Sequence, residues 1–141
     1  MSLHNVVLLL GSNLGDTDSN LKTALAKIET RLGKINFFSE IIETEAVEFV
    51  SKNIFRNIAL DLFTKYSPFS VLKIVKEIEK EMGRLCDSSV IGSYTDRVID
   101  IDIVTYDNIN YHSQKLVIPH KKHLYERLFS IKLLQDLKEK I

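Results

Sequence analysis

Between Ile99 and Ile103 the chain reads IDIDI, isoleucine and aspartate in strict alternation. A period of two belongs to a β-strand, whose successive side chains point to opposite faces. Ile99, Ile101 and Ile103 share one face and are expected to be buried. Asp100 and Asp102 share the other, roughly 7 Å apart, in the middle of a strand where aspartate is disfavoured. Two explanations fit such a pair. It can lie on a solvated sheet face beside Lys or Arg, or it can form a platform for Mg²⁺, a hard cation completed by one or two carboxylates and substrate phosphates. Two metal ions could share it.

The rest of the chain supplies a sheet for this strand. Val6 to Leu10 reads as a buried strand that breaks at GSNLGD, and Leu21, Ala24, Leu25, Ile28 and Leu32 then recur at helical spacing up to a stop at Gly33. Lys34 to Val47 and Ile54 to Tyr66 are rich in β-branched and aromatic residues and are expected to be strands. In the second, Phe55, Asn57, Ala59, Asp61 and Phe63 alternate against Ile58, Leu60 and Leu62. Ser67 and Pro68 open a second helix, with Val71, Leu72, Val75, Ile78 and Met82 as its buried face and Gly83 as its stop. Asp107 and Asn108 mark a turn, Leu116 to Ile118 end a hairpin strand, and a helical tail starts at about Ser130. The order is that of an α/β ferredoxin-like β-α-β-β-α-β sheet with an added C-terminal hairpin and helical tail.

Composition narrows the function. The 141 residues and 45% hydrophobic content suit one globular domain, 1–141. Lys and Arg total 19 and so do Asp and Glu, so no global positive field draws the chain to nucleic acid. Cys86 is the sole cysteine, which forbids an internal disulfide and suits a reducing cytoplasm. No apolar run is long enough for a membrane span. A soluble cytoplasmic protein is expected.

Arg84 to Asp96 lacks periodicity and contains Ser88, Ser89, Gly92 and Ser93 ahead of Arg97; a loop of this length inside a compact domain is usually functional or mobile. Two arginines suit phosphate oxygens, or are merely solvated. Beside two aspartates they point to phosphoryl-type transfer, where positioning and charge neutralisation do most of the catalysis. GSNLGD matches neither nucleotide-binding glycine motif and reads better as a turn feeding a helix whose first turn holds Asp16 and Asp18. Phe55 and Asn57, two apart on one strand, could stack on a flat heterocycle and read its edge, though an isolated Phe55 reads as core. His120, after Pro119, could touch phosphate or cap the next turn.

GSNLGD, FRN, EKEMGR, DRVIDIDIV and VIPH, in this order from about Val6 to Leu134, resemble the 6-hydroxymethyl-7,8-dihydropterin pyrophosphokinases of folate biosynthesis. The resemblance implies transfer of a diphosphate from ATP to the pterin's hydroxymethyl group, releasing AMP, with two Mg²⁺ ions held by Asp100 and Asp102. It implies pterin contacts at Thr44, Phe55, Asn57 and Phe129, and ATP contacts at Glu79, Ile103, Lys115, His120 and Arg127. Arg84 and Arg97 match catalytic arginines of the family's mobile loop. This chain departs from the family in lacking a proline and glycine turn after Thr44. It carries Cys86, Ser93 and Tyr94 where the loop usually has further basic residues and a tryptophan, and one extra residue separates His120 from Arg127. The alternative is a relative that binds nucleotide or pterin without turnover.

Overall fold

The computed structural model describes residues 2–45, 53–83 and 98–141. The expected loop Arg84 to Asp96, with Arg97, lies outside the described residues, as does the end of the Lys34 to Val47 segment.

The centre of the sheet is β1 (His4–Ser12), which pairs antiparallel with β4 (Phe55–Thr64) on one side and β5 (Asp100–Tyr106) on the other. Strand β4 also pairs antiparallel with β2 (Ile35–Phe38) and β3 (Ile42–Thr44), giving a five-stranded sheet of order β2-β4-β1-β5 with β3 beside β4. The single strand expected over Lys34 to Val47 is therefore two short ones. Ser39 separates them: its N–H donates to Ala59 O at 2.8 Å, and its hydroxyl accepts from Ala59 N at 2.9 Å. A side chain there takes an acceptor position that the backbone ladder would otherwise fill.

Helices α1 (Thr17–Arg31) and α2 (Pro68–Glu81) cover one face. Asp16 stands before the first turn of α1 and caps it, accepting from Ser19 N at 3.1 Å, and Ser67 caps α2 through Ser70 N at 3.3 Å. Their apolar stripes, Leu21, Ala24 and Ile28 against Val71, Val75 and Ile78, close on Val6, Leu8 and Leu10 of β1 and Ile99, Ile101 and Ile103. Gly33 follows α1 where a Cβ would collide with the carbonyl of Phe63, so the chain turns back against β4 only without a side chain.

The opposite face is covered over part of its length by α3 (Leu128–Lys140), which begins slightly earlier than Ser130. Leu133 and Leu137 pack on Leu9, Ala59 and Val104 with Phe129 and Leu124 at the margin. The added hairpin is present as β6 (Tyr111–His112) and β7 (Val117–Ile118), which pair with each other in a separate two-stranded sheet. No helix among the described residues is long and apolar enough to cross a membrane.

Candidate active site

Register defines the site. Gly11 of β1 faces Asn57 on β4 and Asp100 on β5, and one step along the same face Leu9 lies between Ala59 and Asp102. Opposed residues of an antiparallel pair project from the same face. One row thus reads Asn57, Gly11, Asp100. The Ala59, Leu9 row packs on α3, whereas the glycine contributes no side chain to its own row. The IDIDI reading holds: Ile101 and Ile103 are buried against the two helices, and Asp100 and Asp102 are half-buried on the other face.

On the β4 side, Asn57 is 4% exposed. Its Nδ2 donates to Thr44 Oγ1 at 2.9 Å and more weakly to Ile42 O at 3.4 Å, which turns Oδ1 toward Gly11. Thr44 pairs across the ladder with Phe55, whose ring borders the space beside Gly11. Thr44, Phe55 and Asn57 therefore converge. Phe129 stands at the start of α3, its ring edge-on to His123 with centroids 6.3 Å apart.

On the β5 side, Asp102 is surrounded by cationic and hydrogen-bonding groups. His123 Nε2 lies 2.7 Å from its Oδ2 and His120 Nε2 lies 4.0 Å from the same oxygen. Burial pushes the Asp102 carboxyl up, but the His123 hydrogen bond and the charges of His123, His120 and Arg127 outweigh it and leave the pKa at about 2. Asp102 is thus ionised at neutral pH. Burial pushes His120 down, helped by His123 and Arg127 and opposed by Asp102.

Local irregularities bring these groups together. The ladder between β1 and β5 shifts between Val7 and Leu8, a bulge that frees the Val104 carbonyl to accept from His120 N at 2.8 Å. A π turn follows at Lys122–Glu126, closed by Arg127 N donating to Lys122 O at 2.8 Å. A π turn accommodates one residue more than an α turn, which matches the extra residue counted between His120 and Arg127.

The other expected residues divide. Glu79, 2% exposed, accepts from Ile101 N at 2.8 Å, so it caps β5 between the two aspartates. Ile103 turns its side chain into the helical core, leaving only its backbone to meet a ligand on the carboxylate face. Lys115 is exposed in the β6 to β7 connection. Two residues escaped sequence reasoning. Gly11 looked like a breaker after the apolar run, but β1 continues through it to Ser12. His123, 1% exposed and preceded by two lysines, gave no signal except the extra residue before Arg127.

The sequence profile of the 7,8-dihydro-6-hydroxymethylpterin-pyrophosphokinase (HPPK) family matches residues 7–139. The chain belongs to this family. A 2-amino-4-hydroxy-6-hydroxymethyldihydropteridine pyrophosphokinase of Porphyromonas gingivalis is 38% identical over 133 residues, 94% of this HPPK chain and 89% of its own length. The Bacillus subtilis protein of the same name is 30% identical over 94% of this chain and 77% of its length. An Arabidopsis thaliana folate synthesis bifunctional protein is 36% identical, but the match spans only 27% of it. Among solved structures, an HPPK-DHPS protein crystallised with substrates superposes with a TM-score of 0.72 at 18% identity, covering 97% of this chain and 40% of that one. At that identity the likeness concerns the fold: mixed α/β, with helices on an antiparallel sheet.

Proposed function

We propose that this HPPK-family chain is the enzyme that transfers the terminal diphosphate of ATP to the hydroxymethyl group of 6-hydroxymethyl-7,8-dihydropterin in folate biosynthesis. The hydroxymethyl oxygen bonds to the β-phosphorus, the bond from that phosphorus to the departing AMP breaks, and the hydroxyl proton is released to solvent. The observation that carries the reading is the Asn57, Gly11, Asp100 row. Two strand spacings, about 10 Å, separate a heterocycle-reading amide from a carboxylate, and only a glycine stands between. A flat ring held at Asn57 would direct its substituent toward the aspartates.

In this reading Phe55 stacks on the pterin, Asn57 Oδ1 accepts from the ring's N–H edge, Thr44 fixes the amide, and Phe129 covers the other face. Asp100 and Asp102 are oxygen donors, at least one ionised at neutral pH, a set that fits hard divalent cations, and they would hold two Mg²⁺ ions. Bound there, the metal would neutralise triphosphate charge. His120 and Arg127 face the same anionic region; Lys115 and the backbone of Ile103 complete the ATP side, which Glu79 supports through the Ile101 N–H and not by direct contact. Arg84 and Arg97 are assigned from the sequence to the charge that develops on the transferred group. The strand order supports a ferredoxin-like sheet with β2 and β3 together as its second strand. A single-domain cytoplasmic monomer is the state we assign.

AMP formation from ATP, measured with and without the pterin alcohol, tests the proposal. Pterin-dependent AMP is expected. Binding of both ligands without AMP would return the chain to a binding module.

A further inference from the structure

His123 is buried between Asp102 and the first turn of α3. Its Nε2 is 2.7 Å from Asp102 Oδ2, and its Nδ1 is 2.6 Å from the hydroxyl of Ser130, itself fully buried. We propose that Ser130 and His123 form a relay that locks the orientation of Asp102, making His123 a positioning residue for diphosphate transfer. The inference rests on reading Asp102 as a cation ligand.

An ionised carboxylate only accepts, so Nε2 of His123 carries the hydrogen donated to Oδ2, and Nδ1 shares a hydrogen bond with the Ser130 hydroxyl. Oδ2 is thereby tied down, which fixes the rotation of the carboxylate and leaves Oδ1 to ligate. Partners of this kind set the geometry of ligating side chains, and their loss costs 10- to 100-fold in metal affinity or activity.

Asp102, His120 and His123 could alternatively be three ligands of one ion, since their donor atoms lie within 4.8 Å of one another. Two features disfavour this. The imidazole planes are tilted by only 30° with centroids 4.1 Å apart, so the in-plane lone pairs of the two rings lie in separate, nearly parallel planes. The 2.7 Å contact to Asp102 is also a hydrogen-bond distance, whereas donors around a tetrahedral zinc stand roughly 3.3 Å apart.

The test uses the full chain with His123→Asn, too short to reach Asp102, His123→Gln, whose amide can replace Nε2–H, and Ser130→Ala. Mn²⁺ binding is followed by electron paramagnetic resonance with a nonhydrolysable ATP analogue, beside kcat, the KM for pterin and thermal melting. The expected result for His123→Asn is Mn²⁺ affinity and kcat each lowered by about 10-fold or more, with the pterin KM within about twofold. His123→Gln should recover much of both, and Ser130→Ala should fall between. If His123→Asn fails to fold, His123→Gln and Ser130→Ala decide: Ser130→Ala with wild-type Mn²⁺ affinity and kcat overturns the relay. Folded His123→Asn with wild-type values overturns it too, as does nitrogen coupling to Mn²⁺ that disappears in this variant, which would make His123 a ligand. A wild-type chain that binds Mn²⁺ and the analogue but makes no AMP would instead defeat the transfer reading, and the variants' Mn²⁺ affinities would still judge the relay.

Discussion

Gly11 leaves no room for a side chain against Asn57: a Cβ at position 11 would stand 2.9 Å from Asn57 Oδ1 and 3.4 Å from the Phe55 ring. Asn57 has little freedom to yield, because Nδ2 is held by Thr44 and Ile42. Gly11→Ala should therefore displace the amide and narrow the space beside Phe55. We expect pterin affinity to fall about 10-fold, the equivalent of roughly 1.4 kcal/mol, with ATP-analogue affinity unchanged. Calorimetry with each ligand separately checks both halves, and equal losses for the two would contradict the placement of the pterin.

Asp102 separates charge from hydrogen bonding. Asp102→Asn keeps an acceptor for His123 Nε2–H but removes the negative charge; Asp102→Ala removes both and leaves a buried donor unpaired. An unsatisfied buried group costs about 1–3 kcal/mol. Both variants should lose transfer by orders of magnitude, and only the alanine should be destabilised to that extent in urea melts. Near-wild-type activity of Asp102→Asn at saturating Mg²⁺ would remove Asp102 from the cation site.

Most of the scaffold was legible in the chain because its strands carry unambiguous period-two patterns. Ile99 to Ile103 and Phe55 to Phe63 each set one face against the other, and both faces fell as read. Sequence fails where a side chain substitutes for backbone or where partners are distant. Ser39 divides β2 from β3 through a hydroxyl, which composition does not reveal. His123 lies in a π turn, whose phase fits neither the helical nor the strand period, and its partner is 21 residues away. Gly11 was hidden for another reason: glycine in a strand signals a close approach as readily as a break.

Asp107 should contribute an acid-sensitive increment to stability. It follows β5 with a φ of 47° and accepts from Asn5 N at 2.8 Å, while His4 Nδ1 lies 2.7 Å from Oδ2. The Asn5 amide and then the His4 contact hold its carboxyl below the ordinary value. A group with a depressed folded pKa stabilises above its unfolded pKa, about 3.9, and loses that contribution as pH falls through the folded value. Tyr106 is the other titrating neighbour; its hydroxyl is pushed up by burial and then by the Asp107 charge, far from this range. Asp107→Asn tolerates the left-handed backbone and should show a shallower stability loss below about pH 4 than wild type. Parallel acid-unfolding curves for the two would contradict the assignment.

Glu79 tests whether the sheet edge and the site are coupled. Its Oε2 accepts from the buried Ile101 N–H at 2.8 Å, and Lys76 Nζ stands 3.5 Å from Oε1. Ile101 separates Asp100 from Asp102, so the carboxylate of α2 sets the position of the strand that carries both aspartates. Glu79→Gln retains an acceptor for the amide and loses the attraction to Lys76, whose ammonium is half-exposed and 3.5 Å away. Glu79→Ala leaves the Ile101 amide without its carboxylate and should cost about 1–3 kcal/mol. With the edge relaxed, the aspartates lose their spacing, and kcat of the alanine variant should fall more than its KM for ATP rises. The glutamine variant should stay near wild type in urea stability and in both constants. A large rise in KM for ATP in Glu79→Gln, with stability retained, would show instead that the carboxylate itself contacts the nucleotide.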